Sequence, residues 1–483
     1  MAAQETSIKV KLLKLHCPFT WEIQENVIKH TIMYINSSNA DYENEMIDDE
    51  ASYPLEVLIN FLFNCYKTVL SADNDEARKI ITKAEDILMQ IQQEQELCQI
   101  IRAIEHVFYA TKCFVLYDSE ELNQLEEILE NIIDTDNFSN EELGALYGCQ
   151  SVVWSCLNDF GINKAIDFAT KAIEKNQDCA LWHFILGKNL RRQRRSINVS
   201  SGVSDAEKEH FEIANAISKN EVFEIYYLQM RMETFHKFSK ERDYVTRKTA
   251  NEKEVLQMAR KMVKTKLTNC KVLLKLVLMF LRANVSDETL LAKECLDAVK
   301  RIAPNSSTYL HYTAMLYQQC GDYREAMKYF KKAAECNNFV AELAYIQYGF
   351  ETRELEPLPH LLRMLKKYDH LIKERQIALL LAIAITYYSL YKDITNAAEY
   401  FLKALIIDPL NKKLKTYYKF LDFNTSNILF FLNNQFCPLL ESKNYQEISQ
   451  KIKNFLNVKN VTTDNLTDLS GFENIFAEMS LLK

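Results

Sequence analysis

The stretch Asn396-Ala397-Ala398-Glu399-Tyr400-Phe401-Leu402-Lys403-Ala404-Leu405-Ile406-Ile407-Asp408-Pro409 decides the fold. Ala397, Phe401 and Ala404 follow one another at offsets of four and three, which places them on one face of a helix. Pro409 comes five residues later and stops that helix. Tyr388 stands nine residues before Ala397, on what the pattern predicts to be a preceding helix. A second copy lies upstream in Leu310, Ala314, Tyr317, Gly321, Ala326, Phe330 and Ala333. The anchors Ala326 and Ala397 are 71 residues apart, two periods of a unit of about 34 residues.

Small residues at fixed places let neighbouring helices approach, and aromatics fill the gaps. That is the pattern of the tetratricopeptide repeat. The spacing predicts an all-α fold, a tetratricopeptide-repeat superhelix (α-solenoid), with function on an extended concave surface. Composition agrees. Only 8 Gly and 7 Pro occur in 483 residues, too few for the many turns of a sheet-rich protein. A hydrophobic fraction of 48% excludes global disorder. No apolar run is long enough to cross a bilayer, since Val272–Leu281 is short and contains Lys275. The N-terminus carries Lys9, Lys11 and Lys14 and no secretory leader pattern. Twelve cysteines lie at irregular spacings, which reads as reduced core cysteines in a cytoplasmic protein.

Walking the chain, residues 1–21 read as an N-terminal cap, followed by a helix to about Ile35 and a polar loop over 36–51. Helical pairs are predicted at 53–68 with 75–92, 94–117 with 119–133, 140–157 with 162–175, and 179–195 with 205–218. A helix over 221–240, a charged connection over 240–252 and a helix over 254–267 come next. Residues 270–283 and 288–302 make another pair, closed by Pro304. Repeats at 307–337, 339–372 and 376–408 complete the array. The tail from 415 carries apolar patches at 428–432 and 472–482 that read as capping helices, around a mobile 457–470. We divide this into a first part (1–240), central repeats (241–340) and C-terminal repeats with caps (341–483).

No catalytic signature occurs: there is no Gly-rich phosphate loop, Gly-x-Ser-x-Gly or His-Glu-x-x-His, so the chain reads as no enzyme. No metal or other cofactor is expected. The most informative local feature is Lys188-Asn189-Leu190-Arg191-Arg192-Gln193-Arg194-Arg195, five cations in eight residues of a chain with net charge −8. Lys188, Arg191, Arg192 and Arg195 share a helical face, and Leu186-Gly187 sets a repeat numbering that turns Lys188, Arg191 and Arg192 to the groove. Guanidinium groups crowded together call for an anion and offer paired donors to phosphate. The other reading is a solvated helix end favoured by the helix dipole. Arg282, His311 and Tyr312 occupy comparable positions downstream. Phe223, Tyr226 and Tyr227 lie between them, as groove aromatics or as packing. Cations interleaved with aromatics suit single-stranded RNA.

The ordered motifs resemble those of interferon-induced proteins with tetratricopeptide repeats. Cys17-Pro18-Phe19-Thr20-Trp21 is similar to that family's Cys-His-Phe-Thr-Trp element, with Pro18 in place of His. Residues 55–88 look like its first repeat, Leu190-Arg191 like its Tyr-Arg step, Phe280-Leu281-Arg282 like a Phe-Tyr-Arg step, and Leu310-His311-Tyr312 like its His-Gln pair. The likeness spans about residues 10–340. It implies a protein of antiviral innate defence that holds single-stranded RNA, by a 5′ phosphorylated or capped end, in a basic channel. By that resemblance Arg191 and Arg282 meet 5′ phosphates, His311 contacts the RNA backbone, and Phe223 stands near the first nucleotides. The family's lysine in the third repeat aligns with Ser155, its tryptophan with Ser151 beside Trp154, its N-terminal arginine with Val27, and the glutamine after His311 with Tyr312. Arg191→Glu is then expected to weaken RNA binding with little cost to folding. A scaffold that binds protein partners or peptides in the groove stays open, as does a homo-oligomer.

Overall fold

A computed structural model describes residues 2–23, 53–157, 160–197, 202–234, 242–265, 267–283, 286–368 and 373–456. The expected helix to Ile35, the 36–51 loop, Val27, the 457–470 segment and the 472–482 cap lie outside the described residues. Two compact units divide between Tyr345 and Ile346.

In the first unit α1 (Ala2–Leu12) precedes a run of helical hairpins. They are α2 (Pro54–Leu70) with α3 (Asn74–Ile91), α4 (Ile101–Asp118) with α5 (Leu122–Asn131), α6 (Asn140–Ser155) with α7 (Ile162–Lys175), and α8 (Ala180–Ile197) with α9 (Asp205–Ile217). Then come α10 (Glu221–Glu233) with α11 (Arg242–Val263), α12 (Cys270–Ala283) with α13 (Ser286–Ile302), and α14 (Ser307–Gln319) with α15 (Tyr323–Glu335). The next helix, α16 (Phe339–Glu351), spans the division. The second unit continues with α17 (Pro357–Lys367), α18 (Lys373–Thr386) and α19 (Ile394–Ile407). After one turn, α20 (Lys412–Lys415), strands β1 (Tyr418–Phe420) and β2 (Phe423–Thr425) pair antiparallel. Short α21 (Ile428–Phe431), α22 (Cys437–Ser442) and α23 (Gln446–Leu456) follow. The chain is an all-α tetratricopeptide-repeat solenoid, as its spacing predicts.

The anchor positions behave as the repeat requires. Ala77, Ala84, Ala165, Ala169, Ala172, Ala326, Ala333, Ala397 and Ala404 are fully enclosed, with Phe330 and Phe401 buried beside them. Turns within three hairpins share one solution. Ala72, Gly321 and Lys392 take left-handed φ of 58°, 78° and 56°, and the aspartate after each caps the next helix. Asp73, Asp322 and Asp393 accept from the backbone N–H three residues on at 3.2, 3.1 and 3.0 Å. Such a cap stabilises by about 1 kcal/mol.

The N-terminal cap is tied down by its motif. Thr20 Oγ1 donates to the Leu15 carbonyl at 2.7 Å and accepts from Cys17 N–H at 3.1 Å. Ile8, Leu12, Leu15 and Cys17 then pack on Ala110, Cys113 and Leu116 of α4, and Phe19 stacks on Phe114 at 4.6 Å.

Two expectations are corrected. The charged connection at 240–252 is the first part of α11, which starts at Arg242. Charged residues are good helix formers on a solvated face, and Asn251 on this stretch accepts from Arg231 at 2.8 Å and donates to its carbonyl at 3.0 Å. The tail holds a β-hairpin, turned at Leu421 with φ 52°, where only helices are predicted. The apolar patch at 428–432 does enter the core, through Ile428, Phe431 and Leu432.

Close packing of α6 on α8 rests on Gly148. A Cβ there would lie 2.3 Å from Cζ3 of Trp182, a ring with no solvent exposure. Gly148→Ala is therefore expected to lower unfolding free energy by about 1–3 kcal/mol, the usual range for overpacking. Urea titration followed by circular dichroism reads this directly.

Candidate nucleic-acid interface

Sequence-distant first helices of the hairpins meet inside the first unit. Lys188 of α8 pairs with Glu56 of α2, 132 residues away. Tyr53, just before α2, stacks on Phe223 of α10 at 5.4 Å. Ser218 donates to Glu96 Oε1 at 3.1 Å, and the Cys156 thiol donates to Asn60 Oδ1 at 3.1 Å. The first hairpin thus packs against the fourth and fifth, and the residues between these helices are sheltered from water.

Glu233, the last residue of α10, gathers the arginines of α8. Its carboxylate pairs with Arg191 and Arg195, and with Arg194 at 2.7 Å. Arg194 also bridges to Glu207 of α9, with contacts of 2.7 and 3.0 Å. Burial alone would raise the Glu233 pKa, but Arg191, Arg195 and Arg194 outweigh it and hold the group down at about 2. Arg191 is 4% exposed, and burial lowers its own pKa against the pull of Glu233. It donates to Gln229 Oε1 at 3.1 Å, while its Nε has no hydrogen-bond partner.

Next to these arginines stands Lys275 of α12, half-buried. Its Nζ donates to Gln229 Oε1 at 3.1 Å and lies 4.0 Å from the Tyr226 ring centre. Among the described residues no carboxylate pairs with it. Burial, with Arg191, Lys271 and Arg195 adding repulsion, pushes its pKa down to about 8. Lys188 Nζ and the Arg191 guanidinium approach the same ring, at 5.8 and 5.7 Å. For the Tyr226 phenol, burial acts upward, yet Lys275, Lys271 and Lys188 prevail and bring it down to about 7. Five cations, Lys188, Arg191, Arg194, Arg195 and Lys275, thus surround three carboxylates, Glu56, Glu207 and Glu233. Such an arrangement favours a further anion.

The residues expected to contact RNA divide. Lys188 and Arg191 do lie together in this cluster, but each already has a carboxylate partner. Arg191 is a buried member of an ion network, so the expectation that Arg191→Glu spares folding is corrected: it would set two carboxylates against each other. Arg192 is half-buried, and Arg194, outside the expected set, belongs to the network. Phe223 is corrected to a core residue, 1% exposed between Tyr53 and Phe184, with no face left for a base. Tyr227 is half-buried with Arg231 5.8 Å from its ring, and it is Tyr226 that faces the cations. Arg282 is exposed and has no ion pair among the described residues. His311 is half-buried beside Phe330 and Tyr312, at 5.9 and 5.7 Å. Burial lowers its pKa to about 4, so it is neutral at physiological pH and offers a hydrogen bond rather than a charge. Lys275 escaped notice because it reads as an interruption in an apolar run. Its signal was its place one heptad before Arg282, on the same stripe of α12.

Among the described residues no group of three or more His, Cys, Asp or Glu could hold a metal, and no helix is long and apolar enough to cross a membrane.

No protein-family model matches the chain, and no curated protein matches it in sequence. Solved structures do. A human IFIT1 dimer with m7Gppp-AAAA is 14% identical, with a TM-score of 0.57 over 93% of this chain and 98% of that one. The human IFIT1 dimer with PPP-AAAA gives 0.54 at the same identity and coverage. A monomeric IFIT1 mutant with Gppp-AAAA gives 0.58 at 13% identity, over 93% and 99%. The chain shares the fold of these proteins, and at this identity the likeness speaks to fold alone.

Two consequences can be measured. Glu233→Gln leaves three guanidinium groups without their shared counter-charge, which should cost about 3–5 kcal/mol at neutral pH. A carboxylate whose folded pKa lies below its ordinary 4.5 contributes stability above that value and loses it as pH falls toward about 2. The gap between wild type and variant in urea titrations should therefore narrow between pH 4.5 and 2. Second, one tyrosine should ionise near pH 7 by ultraviolet difference absorbance, and Tyr226→Phe should abolish that step.

Proposed function

We propose that this chain is a single-stranded RNA-binding protein of antiviral innate defence, which receives a 5′ phosphorylated or capped RNA end among the first helices of its N-terminal unit. It acts as a binder, not an enzyme, and works in the cytoplasm. The observation that carries the reading is Lys275, an ammonium group sheltered among four other cations with no carboxylate of its own among the described residues. A phosphate entering there meets Lys275, the free Nε of Arg191 and the Tyr226 hydroxyl, and relieves repulsion between cations. That the IFIT1 structures of the same fold carry m7Gppp-AAAA and PPP-AAAA supports this choice of ligand.

The carboxylates carry information too. Glu207 and Glu233 offset much of the arginine charge and Glu56 pairs with Lys188, so Lys275 of α12, more than the cations of α8, supplies the attraction. A scaffold for protein partners is the second reading, favoured by the degree to which Glu233 and Glu207 already satisfy Arg191, Arg194 and Arg195. The dimers among the IFIT1 structures make a homo-oligomer the natural protein partner to examine first.

Lys275→Gln is the decisive variant. It keeps a polar group at the site and removes a repelled charge, so stability should not fall. Affinity for 5′-triphosphate single-stranded RNA should drop on the order of tenfold, as loss of one charge-assisted contact implies. The slope of log affinity against log salt should flatten by about 0.7, the value for one phosphate on a single strand. Unaltered affinity and slope in fluorescence anisotropy would refute the RNA reading and leave the scaffold.

A further inference from the structure

We propose a second contact surface for single-stranded RNA in the C-terminal unit, on the outward face of the β-hairpin. The segment from Pro409 to Leu440 holds four lysines, Lys412, Lys413, Lys415 and Lys419, and a single carboxylate, Asp422, in a chain of net charge −8. The backbone sorts these residues by side. After α20 the chain is extended, and alternate side chains point to opposite faces. Tyr418 and Phe420 turn inward, where burial raises the Tyr418 pKa and leaves Phe420 9% exposed. Tyr417 and Lys419 take the other side and are exposed, Tyr417 at 66%, and Lys415, the last residue of α20, is exposed just before them. Asn424, directly across the ladder from Lys419, is exposed as well. No ion pair involves Lys415 or Lys419 among the described residues.

The platform is held firmly. Leu421 closes the two-residue turn, and its N–H donates to Gln347 Oε1 at 2.7 Å. Phe423 packs beneath, against Phe431 at 4.9 Å and Tyr388 at 6.0 Å. An aromatic ring is thus presented to solvent between two cations, on a support that loses little freedom on binding.

That combination fits a flexible polyanion with stackable rings. A base stacks on Tyr417, neighbouring phosphates pair with Lys415 and Lys419, and Asn424 offers a donor and an acceptor to a base edge. An anionic membrane would need a broad apolar face beside the lysines. Here the face is Lys, Tyr, Lys and Asn. The surface is independent of the Lys275 cluster and recognises no RNA end, so its partner is the body of a strand.

The test uses the full chain and a 5′-hydroxyl single-stranded RNA oligonucleotide. Lys415→Glu/Lys419→Glu should weaken binding at least tenfold and flatten the salt slope by about 1.4, for two phosphates. Tyr417→Ala should weaken it about five- to a hundredfold, and Tyr417→Phe should restore it. A 4-thiouridine-substituted strand should crosslink to the peptide containing Tyr417 in the wild-type protein, a readout that needs no variant to fold. Repeating the titrations in Lys275→Gln keeps the two sites apart. Lys275→Gln should bind 5′-hydroxyl RNA as the wild type does; unchanged binding of 5′-triphosphate RNA by that variant rejects the 5′-end site alone, and unchanged binding of 5′-hydroxyl RNA by the hairpin variants rejects this one. Unchanged affinity with no crosslink overturns the proposal. So does flotation with phosphatidylserine vesicles that the hairpin variants abolish while RNA binding persists, the outcome of a membrane surface.

Discussion

The organisation of the N-terminal unit depends on one carboxylate. Glu233 sits where the arginines of α8 converge, and without it Arg191, Arg194 and Arg195 would repel one another in a sheltered setting where water screens little. Its acidity, well beyond that of an ordinary glutamate, measures how strongly those charges act on it. By satisfying the arginines it lets α8 and α10 lie together. It also leaves the cluster net positive, because the lysine contributed by α12 has no equivalent counter-charge among the described residues. Structural pairing and residual attraction for anions arise from the same few side chains.

That balance is possible because the first hairpin folds back on the fourth and fifth. Glu56 enters a cationic region from α2, and Tyr53 covers Phe223. A solenoid whose repeats touched only their neighbours would deprive Lys188 of Glu56 and Phe223 of Tyr53. Enclosure raises the stakes of every charge. Burial brings Lys275, and the neighbouring lysines bring Tyr226 against the effect of burial, toward neutral pH in their titration, a range in which ligand binding and protonation become linked.

The two proposed RNA surfaces differ in kind. In the N-terminal unit, charges are sheltered and already partly matched, which suits a compact, highly charged terminus able to displace water. On the hairpin, the cations are solvated and flank one exposed ring, which suits a strand that binds by many weak contacts.

The repeat itself was legible in sequence. Alanines at 326, 333, 397 and 404 and aromatics at 330 and 401 report local helix contacts, and local contacts follow from spacing alone. So did the presence of a cationic face on α8 and the motif that ties Thr20 to Cys17. Other features were not legible, for reasons of distance. Whether Phe223 meets a base or Tyr53, and whether Arg191 meets a phosphate or Glu233, depends on residues tens to hundreds of positions away. The β-hairpin was hidden because a buried leucine, rather than a glycine, occupies its left-handed turn. The sequence by itself determined helices, repeat and a local concentration of positive charge, since these depend on neighbours three or four residues apart. Only the tertiary structure decided which of those charges are already matched, because the matching carboxylates Glu56, Glu207 and Glu233 sit on other helices, beyond the reach of any local spacing rule.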